Sequence, residues 1–123
     1  MIKGFAHVAL YTSKLEETIK FYEEVFDAKN LGIFQASNKG CWLEIGKDKL
    51  EVFESEDLGT GCIKHFAISC NNVDELYQKA LNHGASRLVE PKAIYLALEI
   101  PVKARIAFIA GINGEQIELF EEE

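Results

Sequence analysis

The sequence predicts an α+β fold in which two tandem βαβββ modules form an open, barrel-like curved sheet. Three observations support this prediction. Strand-like segments alternate with two amphipathic helical segments, both halves of the chain have the same order of segments, and similar residues recur at equivalent positions. A chain of 123 residues has the usual length of one domain. We therefore expect a single domain, with module one at about residues 1–58 and module two at about 59–123.

Module one begins with a strand and a helix. Residues 2–11 are rich in β-branched and aromatic types, which predict a strand, and the Thr12 and Ser13 pair is a helix-start signal. Apolar residues then recur at helical spacing and predict an amphipathic helix over about residues 14–26. Three strands are expected next, around residues 29–35, 41–45 and 50–54, because turn-forming residues separate them.

Module two repeats this order. Residues 62–69 predict a strand, Asn71 and Asn72 supply the cap, and a helix from residue 73 to about 83 ends at Gly84. A shift of 58 residues superposes HVAL at residues 7–10 on HFAI at 65–68, and LEE at 15–17 on VDE at 73–75. LEVFE at residues 50–54 matches IELFE at 117–121 with a shift of 67, because the middle of module two is longer. These ordered matches indicate a duplicated module.

The composition narrows the classes of partner. A formal net charge of −7 and an acidic end at residues 121–123 disfavour nucleic acid and anionic membranes, so a small molecule is the expected partner. Three cysteines without CxxC spacing suit reduced, buried thiols. Because the chain opens without a basic and then apolar leader and has no membrane-length apolar run, we expect a cytoplasmic location.

Four residues at repeat-equivalent positions indicate a metal site. Alternation along the strands places Glu51 beside Phe53 and Glu118 beside Phe120, so each carboxylate lies mid-strand in apolar company. Such a charge is costly unless it is paired or bound to a cation. His7 and His65 occupy equivalent positions on the first strand of each module.

If pseudo-twofold symmetry relates the modules, these four side chains converge on one divalent ion. A set of two histidines and two glutamates suits Ni²⁺, Zn²⁺, Fe²⁺, Mn²⁺ or Co²⁺ and leaves open positions for substrate oxygens. Taken singly, each of these residues has an ordinary structural explanation, and it is the paired recurrence that favours a site. His83 has no repeat partner and is expected to be a cation at a helix C-terminus.

Several segments together resemble the vicinal oxygen chelate superfamily, which includes glyoxalase I, methylmalonyl-CoA epimerase, extradiol dioxygenases, and fosfomycin and bleomycin resistance proteins. They are HVAL at residues 7–10, the helix with FY at 21–22, KLEVF at 49–53, KHFAI at 64–68 and NGEQIELFEE at 113–122. The resemblance covers essentially the whole chain and is nearest to small bacterial glyoxalase I. It implies a cup around the metal, a homodimer, and Ni²⁺ or Zn²⁺ as the preferred ion.

The resemblance also implies a reaction. A hemithioacetal would chelate the metal, Glu118 would act as base through an enediolate, and Glu51 would be its symmetric counterpart, giving a 2-hydroxyacyl thioester. An acyl-CoA epimerase and a drug-binding resistance protein without turnover remain alternatives. Tyr11 stands where glutathione-dependent relatives resemble one another in having an arginine. We expect Tyr11, Phe53 and Lys64 to contact the substrate.

The apolar segment at residues 93–102 supplies the extra length of module two. It is interpreted either as the wall of an apolar pocket or as a core or dimer-interface segment.

Overall fold

The computed structural model describes residues 5–59, 61 and 63–123 and divides the chain into two compact units, Met1–Thr60 and Gly61–Glu123. Each unit contains one helix and one four-stranded mixed sheet. Whether both units act as one domain stays a prediction. None of the helices in the described part of the chain is long and apolar enough to cross a membrane.

Unit one has the order strand, helix and three strands. Its elements are β1 (Val8–Thr12), α1 (Leu15–Phe26), β2 (Lys29–Gln35), β3 (Lys39–Ile45) and β4 (Asp48–Glu54). The sheet order is β1-β4-β3-β2, with β1 parallel to β4 and the other pairs antiparallel. The long crossover through α1 and β2–β3 is what allows the first and last strands to pair in parallel.

Unit two repeats this topology. Its elements are β5 (Phe66–Ser69), α2 (Val73–Asn82), β6 (Ser86–Leu96), β7 (Val102–Ala110) and β8 (Gln116–Glu122). The sheet order is β5-β8-β7-β6, with β5 parallel to β8. The long β6–β7 hairpin contains the additional residues of module two.

Each helix packs its apolar face on the sheet of its own unit. In unit one, Tyr22 of α1 and Leu43 and Val52 of the sheet are fully buried. In unit two, Ile117 and Leu119 of β8 are fully buried on the strand face opposite Glu118. Burial of these alternating residues fixes the register, since a slip of one residue would turn the apolar set outward.

The helix ends follow the predicted signals in part. Asn72 accepts a hydrogen bond from the backbone N–H of Glu75 at 3.1 Å and caps α2 as expected. Helix α1 has Lys14 at its N-cap without a side-chain cap, and Thr12 Oγ1 instead accepts from the backbone N–H of Lys14 at 2.9 Å. Gly84, with φ of +101°, follows α2 in the left-handed region that favours glycine.

The predicted order of elements is confirmed, with two corrections. The expected single barrel-like sheet is instead two four-stranded sheets. The strands of each module pair within that module, and each sheet packs against the helix of the same module. The first strand of each module begins later than expected, so His7 and His65 lie immediately before β1 and β5. Residues 2–4 of the first predicted strand, and Cys62, lie outside the described residues.

Of the three cysteines, Cys41 and Cys70 lie among the described residues; neither is in a disulfide there, and they differ in burial. Cys41 is buried, whereas Cys70 is only partly buried, because Cys70 lies just beyond the end of β5. Burial raises the pKa of both thiols, and for Cys41 the nearby charge of Glu23 raises it further. The thiolate is the reactive form, so both should be poor nucleophiles at neutral pH.

We therefore expect Cys41 and Cys70 to react with a disulfide reagent more slowly than a free thiol at pH 7, and faster in denaturant. Mass spectrometry of alkylated peptides would measure each rate. Rapid labelling of Cys41 in the folded protein would contradict its burial.

Candidate functional site

The strand register brings one histidine and one glutamate together in unit one. Leu50 and Val52 of β4 point into the core, which turns Glu51 to the opposite face. Glu51 lies opposite Ala9 on β1 and opposite Trp42 on β3. His7 precedes Ala9 by two residues and therefore approaches the same face.

The His7 and Glu51 side chains face each other closely. Nε2 of His7 lies 3.4 Å from Oε1 of Glu51, and the Glu51 side chain is only 14% exposed. The other carboxylate oxygen, Oε2, accepts a hydrogen bond of 2.6 Å from the indole Nε1 of Trp42. The Trp42 and His7 rings are also in contact, with centroids 5.3 Å apart. One indole therefore touches both members of the pair.

Unit two builds the equivalent pair from β8 and the residue before β5. Nε2 of His65 lies 3.5 Å from Oε2 of Glu118, whose side chain is 12% exposed. Glu118 lies opposite Ala67 on β5 and Phe108 on β7, and the Phe108 ring contacts His65 at a centroid distance of 5.1 Å. Nδ1 of His65 is buried and has no hydrogen-bond partner among the described residues. A buried polar atom of this kind often marks a functional group.

The geometry of both pairs fits ligands of a metal ion. Neither nitrogen–oxygen distance, 3.4 Å or 3.5 Å, is short enough for the usual charge-assisted hydrogen bond of about 2.7 to 2.9 Å. Two ligand atoms that each lie about 2.1 Å from one ion, at an angle of about 90° to 115°, are about 3.0 to 3.5 Å apart. Imidazole nitrogen and carboxylate oxygen are also ordinary ligands of Zn²⁺ and Ni²⁺.

The structure brings the four predicted ligands together as two pairs, one in each unit. Among the described residues it contains no group of three or more histidine, cysteine, aspartate or glutamate side chains arranged to hold a metal ion. The site that combines all four residues therefore stays a prediction.

An open cavity of about 440 Å³ adjoins Glu51 in unit one. Apart from Glu51, its lining is apolar or uncharged and consists of Leu31, Gly32, Ile33, Phe34 and Trp42. Leu31 is placed there by a bulge in β2 between Asn30 and Gly32. An apolar wall that ends at one carboxylate suits a small ligand with an uncharged, apolar part.

Gly40 shapes the sheet surface next to this cavity. It lies between Phe34 and Phe53 in the register, and those rings pack edge to face with centroids 5.7 Å apart. A Cβ at position 40 would lie 2.7 Å from Cζ of Phe34 and 3.0 Å from Cδ1 of Phe53. A side chain at position 40 would therefore force one of these rings to move.

The predicted substrate contacts lie in two places. Tyr11 is opposite Phe53 in the register, two residues beyond Ala9 and Glu51, so both lie on the face that carries Glu51. Lys64 is exposed and immediately precedes His65.

His83 caps the C-terminus of α2, where its Nδ1 lies 2.8 Å from the carbonyl oxygen of Lys79.

The apolar segment at residues 93–102 forms the end of β6, the hairpin turn and the first residue of β7. Tyr95, Leu98 and Ile100 are exposed, so they do not form a core. The roles of pocket wall and dimer interface stay predictions for this segment.

Sequence reasoning missed Trp42, Phe108 and Gly40. The two aromatic residues occur at matching positions, because each lies directly opposite the site glutamate of its module. That pattern was present in the sequence as an aromatic residue 9 or 10 positions before each glutamate. Only the strand register shows that these spacings become direct neighbours.

The family model for the Glyoxalase/Bleomycin resistance protein/Dioxygenase superfamily matches residues 4–98, which is more than half of the chain. The chain belongs to this superfamily. Its β-strand order and paired modules are thus those of a glyoxalase-like fold.

Relatives within the superfamily have different activities. The chain is 30% identical to lactoylglutathione lyase GLX1 of Arabidopsis thaliana over 97% of its own length and 44% of that protein. A glyoxalase I mutant from Zea mays superposes with a TM-score of 0.76 and 24% identity, over 94% of this chain and 43% of the maize chain. The chain therefore spans less than half the length of these plant relatives.

A fosfomycin resistance protein is similar to the same degree in fold. FosX from Listeria monocytogenes superposes with a TM-score of 0.77 and 19% identity, over 98% of this chain and 94% of FosX. The same protein has also been crystallised with Mn(II) and a sulfate ion, a form that matches with a TM-score of 0.73. The fold alone thus does not separate the two activities.

Proposed function

We propose that this chain is a metal-dependent lyase or isomerase of glyoxalase I type. It would convert the hemithioacetal of a 2-oxoaldehyde and a thiol into a 2-hydroxyacyl thioester. The observation that carries the proposal is the recurrence of one His–Glu pair in both modules, with nitrogen–oxygen distances of 3.4 and 3.5 Å.

In this proposal, His7, Glu51, His65 and Glu118 bind one divalent ion, with Ni²⁺ or Zn²⁺ preferred and Co²⁺, Mn²⁺ or Fe²⁺ as alternatives. We further propose that the chain acts as a homodimer in the cytoplasm. When bound, the ion supplies Lewis-acid polarisation of two adjacent substrate oxygens, which makes the neighbouring C–H bond more acidic.

In this proposal the Glu118 side chain transfers the substrate proton. The C–H bond of the hemithioacetal carbon breaks, and its proton moves to the Glu118 carboxylate. The same carboxylate returns the proton to the adjacent carbon, while the hydroxyl proton passes from the first oxygen to the second by exchange with solvent, so that the product is an isomer of the bound adduct and no external oxidant is consumed. General-base catalysis requires the Glu118 carboxylate to lie within hydrogen-bond reach of this proton in the bound adduct.

The cavity beside Glu51 favours an uncharged substrate group. Within the described part of the chain its lining contains no lysine or arginine, whereas a phosphonate or a glutamyl carboxylate needs a cationic partner when it is bound away from water. Together with Tyr11 in place of the glutathione-binding arginine, this favours a small thiol adduct over a glutathione adduct. It also favours a glyoxalase-type substrate over fosfomycin.

Metal analysis and a substrate panel test the proposal. We expect purified protein to hold one divalent ion per pair of modules, and to convert methylglyoxal mixed with small thiols faster than methylglyoxal mixed with glutathione. Chelation should abolish turnover, and Ni²⁺ or Zn²⁺ should restore it. Protein without stoichiometric metal would refute the site, and turnover of methylmalonyl-CoA or fosfomycin instead would refute the reaction.

A further inference from the structure

The two site glutamates differ in the residue that lies beside them on the neighbouring strand. Trp42 lies opposite Glu51 on β3, and Phe108 lies opposite Glu118 on β7. The indole of Trp42 donates a hydrogen bond of 2.6 Å to Oε2 of Glu51. A phenyl ring has no such donor. Among the described residues, the Glu118 carboxylate contacts His65 but accepts no hydrogen bond.

We propose that Trp42 is a positioning residue that holds Glu51 as a fixed metal ligand and thereby makes the two glutamates inequivalent. The inference rests on the proposed metal site. The hydrogen bond occupies Oε2 and leaves Oε1 of Glu51 facing His7. A short hydrogen bond to a charged oxygen restricts the carboxylate in both position and rotation.

The same indole also orients the histidine of the pair. Its ring contacts His7 at a centroid distance of 5.3 Å, while Phe108 contacts His65 at 5.1 Å. Both modules therefore have an aromatic ring in contact with the histidine. The indole N–H of Trp42 has no counterpart in Phe108. Partners that orient the ligands of a metal commonly contribute about 10- to 100-fold to its affinity.

The difference assigns separate tasks to the two carboxylates. Glu51, held through one oxygen, keeps a constant geometry. Glu118 accepts no hydrogen bond of this kind from the described residues, so its carboxylate is less restricted than that of Glu51. The different roles of the two glutamates thus come from the residue on the neighbouring strand, although the two modules share one topology.

A spectroscopic experiment tests the hydrogen bond without metal or substrate. The chain has one tryptophan, so its ¹H–¹⁵N spectrum contains one indole resonance. In the chelator-treated, full-length protein, we expect Glu51→Ala to move this resonance upfield and Glu118→Ala, the matched control, to leave it in place. An indole resonance that is unchanged in Glu51→Ala would overturn the inference.

Metal affinity tests the positioning role. Trp42→Phe introduces the residue type that module two has at this position and removes only the donor and the larger ring. We expect it to weaken Zn²⁺ binding about tenfold or more in calorimetric titrations, and Trp42→Gln, which restores an N–H donor, to recover part of the loss. Thermal unfolding would confirm that each variant is folded.

The outcomes separate this inference from the proposed function. If the wild-type protein binds Zn²⁺ and Trp42→Phe binds it within twofold as tightly, the inference fails and the metal site stands. If the wild-type protein binds neither Zn²⁺ nor Ni²⁺, the proposed function fails, and the positioning role fails with it.

Discussion

Replacing Glu118 with glutamine is expected to lower the turnover of methylglyoxal–thiol adducts by about 10²- to 10⁴-fold, the usual contribution of a general base. Glutamine keeps a carbonyl oxygen that can bind a metal but cannot accept the substrate proton. The folded protein should therefore still bind its metal. Steady-state kinetics at saturating metal, with metal content measured on the same samples, would separate the two effects.

Two matched variants sharpen this prediction. Glu122→Gln makes the same change on the same strand β8, outside both His–Glu pairs, and should leave turnover unchanged. Glu51→Gln should act mainly on metal affinity, since Glu51 is the carboxylate that Trp42 holds. If Glu118→Gln keeps more than about a tenth of the wild-type turnover, Glu118 is not the base.

Removing either histidine is expected to release the same metal ion. His7→Ala and His65→Ala each remove an imidazole ligand, so each should weaken binding by more than the roughly 10- to 100-fold that loss of an outer-shell partner costs. The reason is that the proposed site combines one pair from each module. Calorimetric titration with Zn²⁺ and elemental analysis of dialysed protein would measure affinity and stoichiometry.

The number of metal ions bound by these variants distinguishes one shared site from two separate sites. If each pair bound an ion separately, His7→Ala would leave full binding at His65 and Glu118, and His65→Ala would leave it at His7 and Glu51. Half of the wild-type metal in both variants would thus contradict a shared site. His83→Ala is the matched control, because His83 caps α2 and belongs to neither pair.

Local patterns in the sequence were sufficient for most of the fold. The apolar spacing of Leu15, Ile19, Tyr22 and Phe26 predicted α1, since one face of a helix recurs every three or four residues. Asn72 and Gly84 marked the ends of α2 because capping depends on the side chain or conformational freedom of single residues. The start of β1 was missed because strand ends depend on where a partner strand begins to pair.

For the site, too, local patterns predicted some residues and missed others. Repeat matching singled out His7, Glu51, His65 and Glu118, and alternation alone placed both glutamates opposite the buried face. It could not identify Trp42 as the partner of Glu51, or Gly40 as the space between Phe34 and Phe53. Those contacts depend on cross-strand register, which is set by hairpin geometry and by burial over the whole strand.

The sequence by itself determined the two-module α+β order, the candidate ligand types and their equivalence in the two halves, because these properties are periodic and local. Tertiary structure decided that the strands form two sheets, that each histidine faces the glutamate of its own module, and that, among the described residues, Glu51 accepts a hydrogen bond from an indole while Glu118 lies opposite a phenyl ring. The physical reason is that a distance of 3 to 4 Å between side chains distant in sequence is created by packing and register, and no local pattern encodes it.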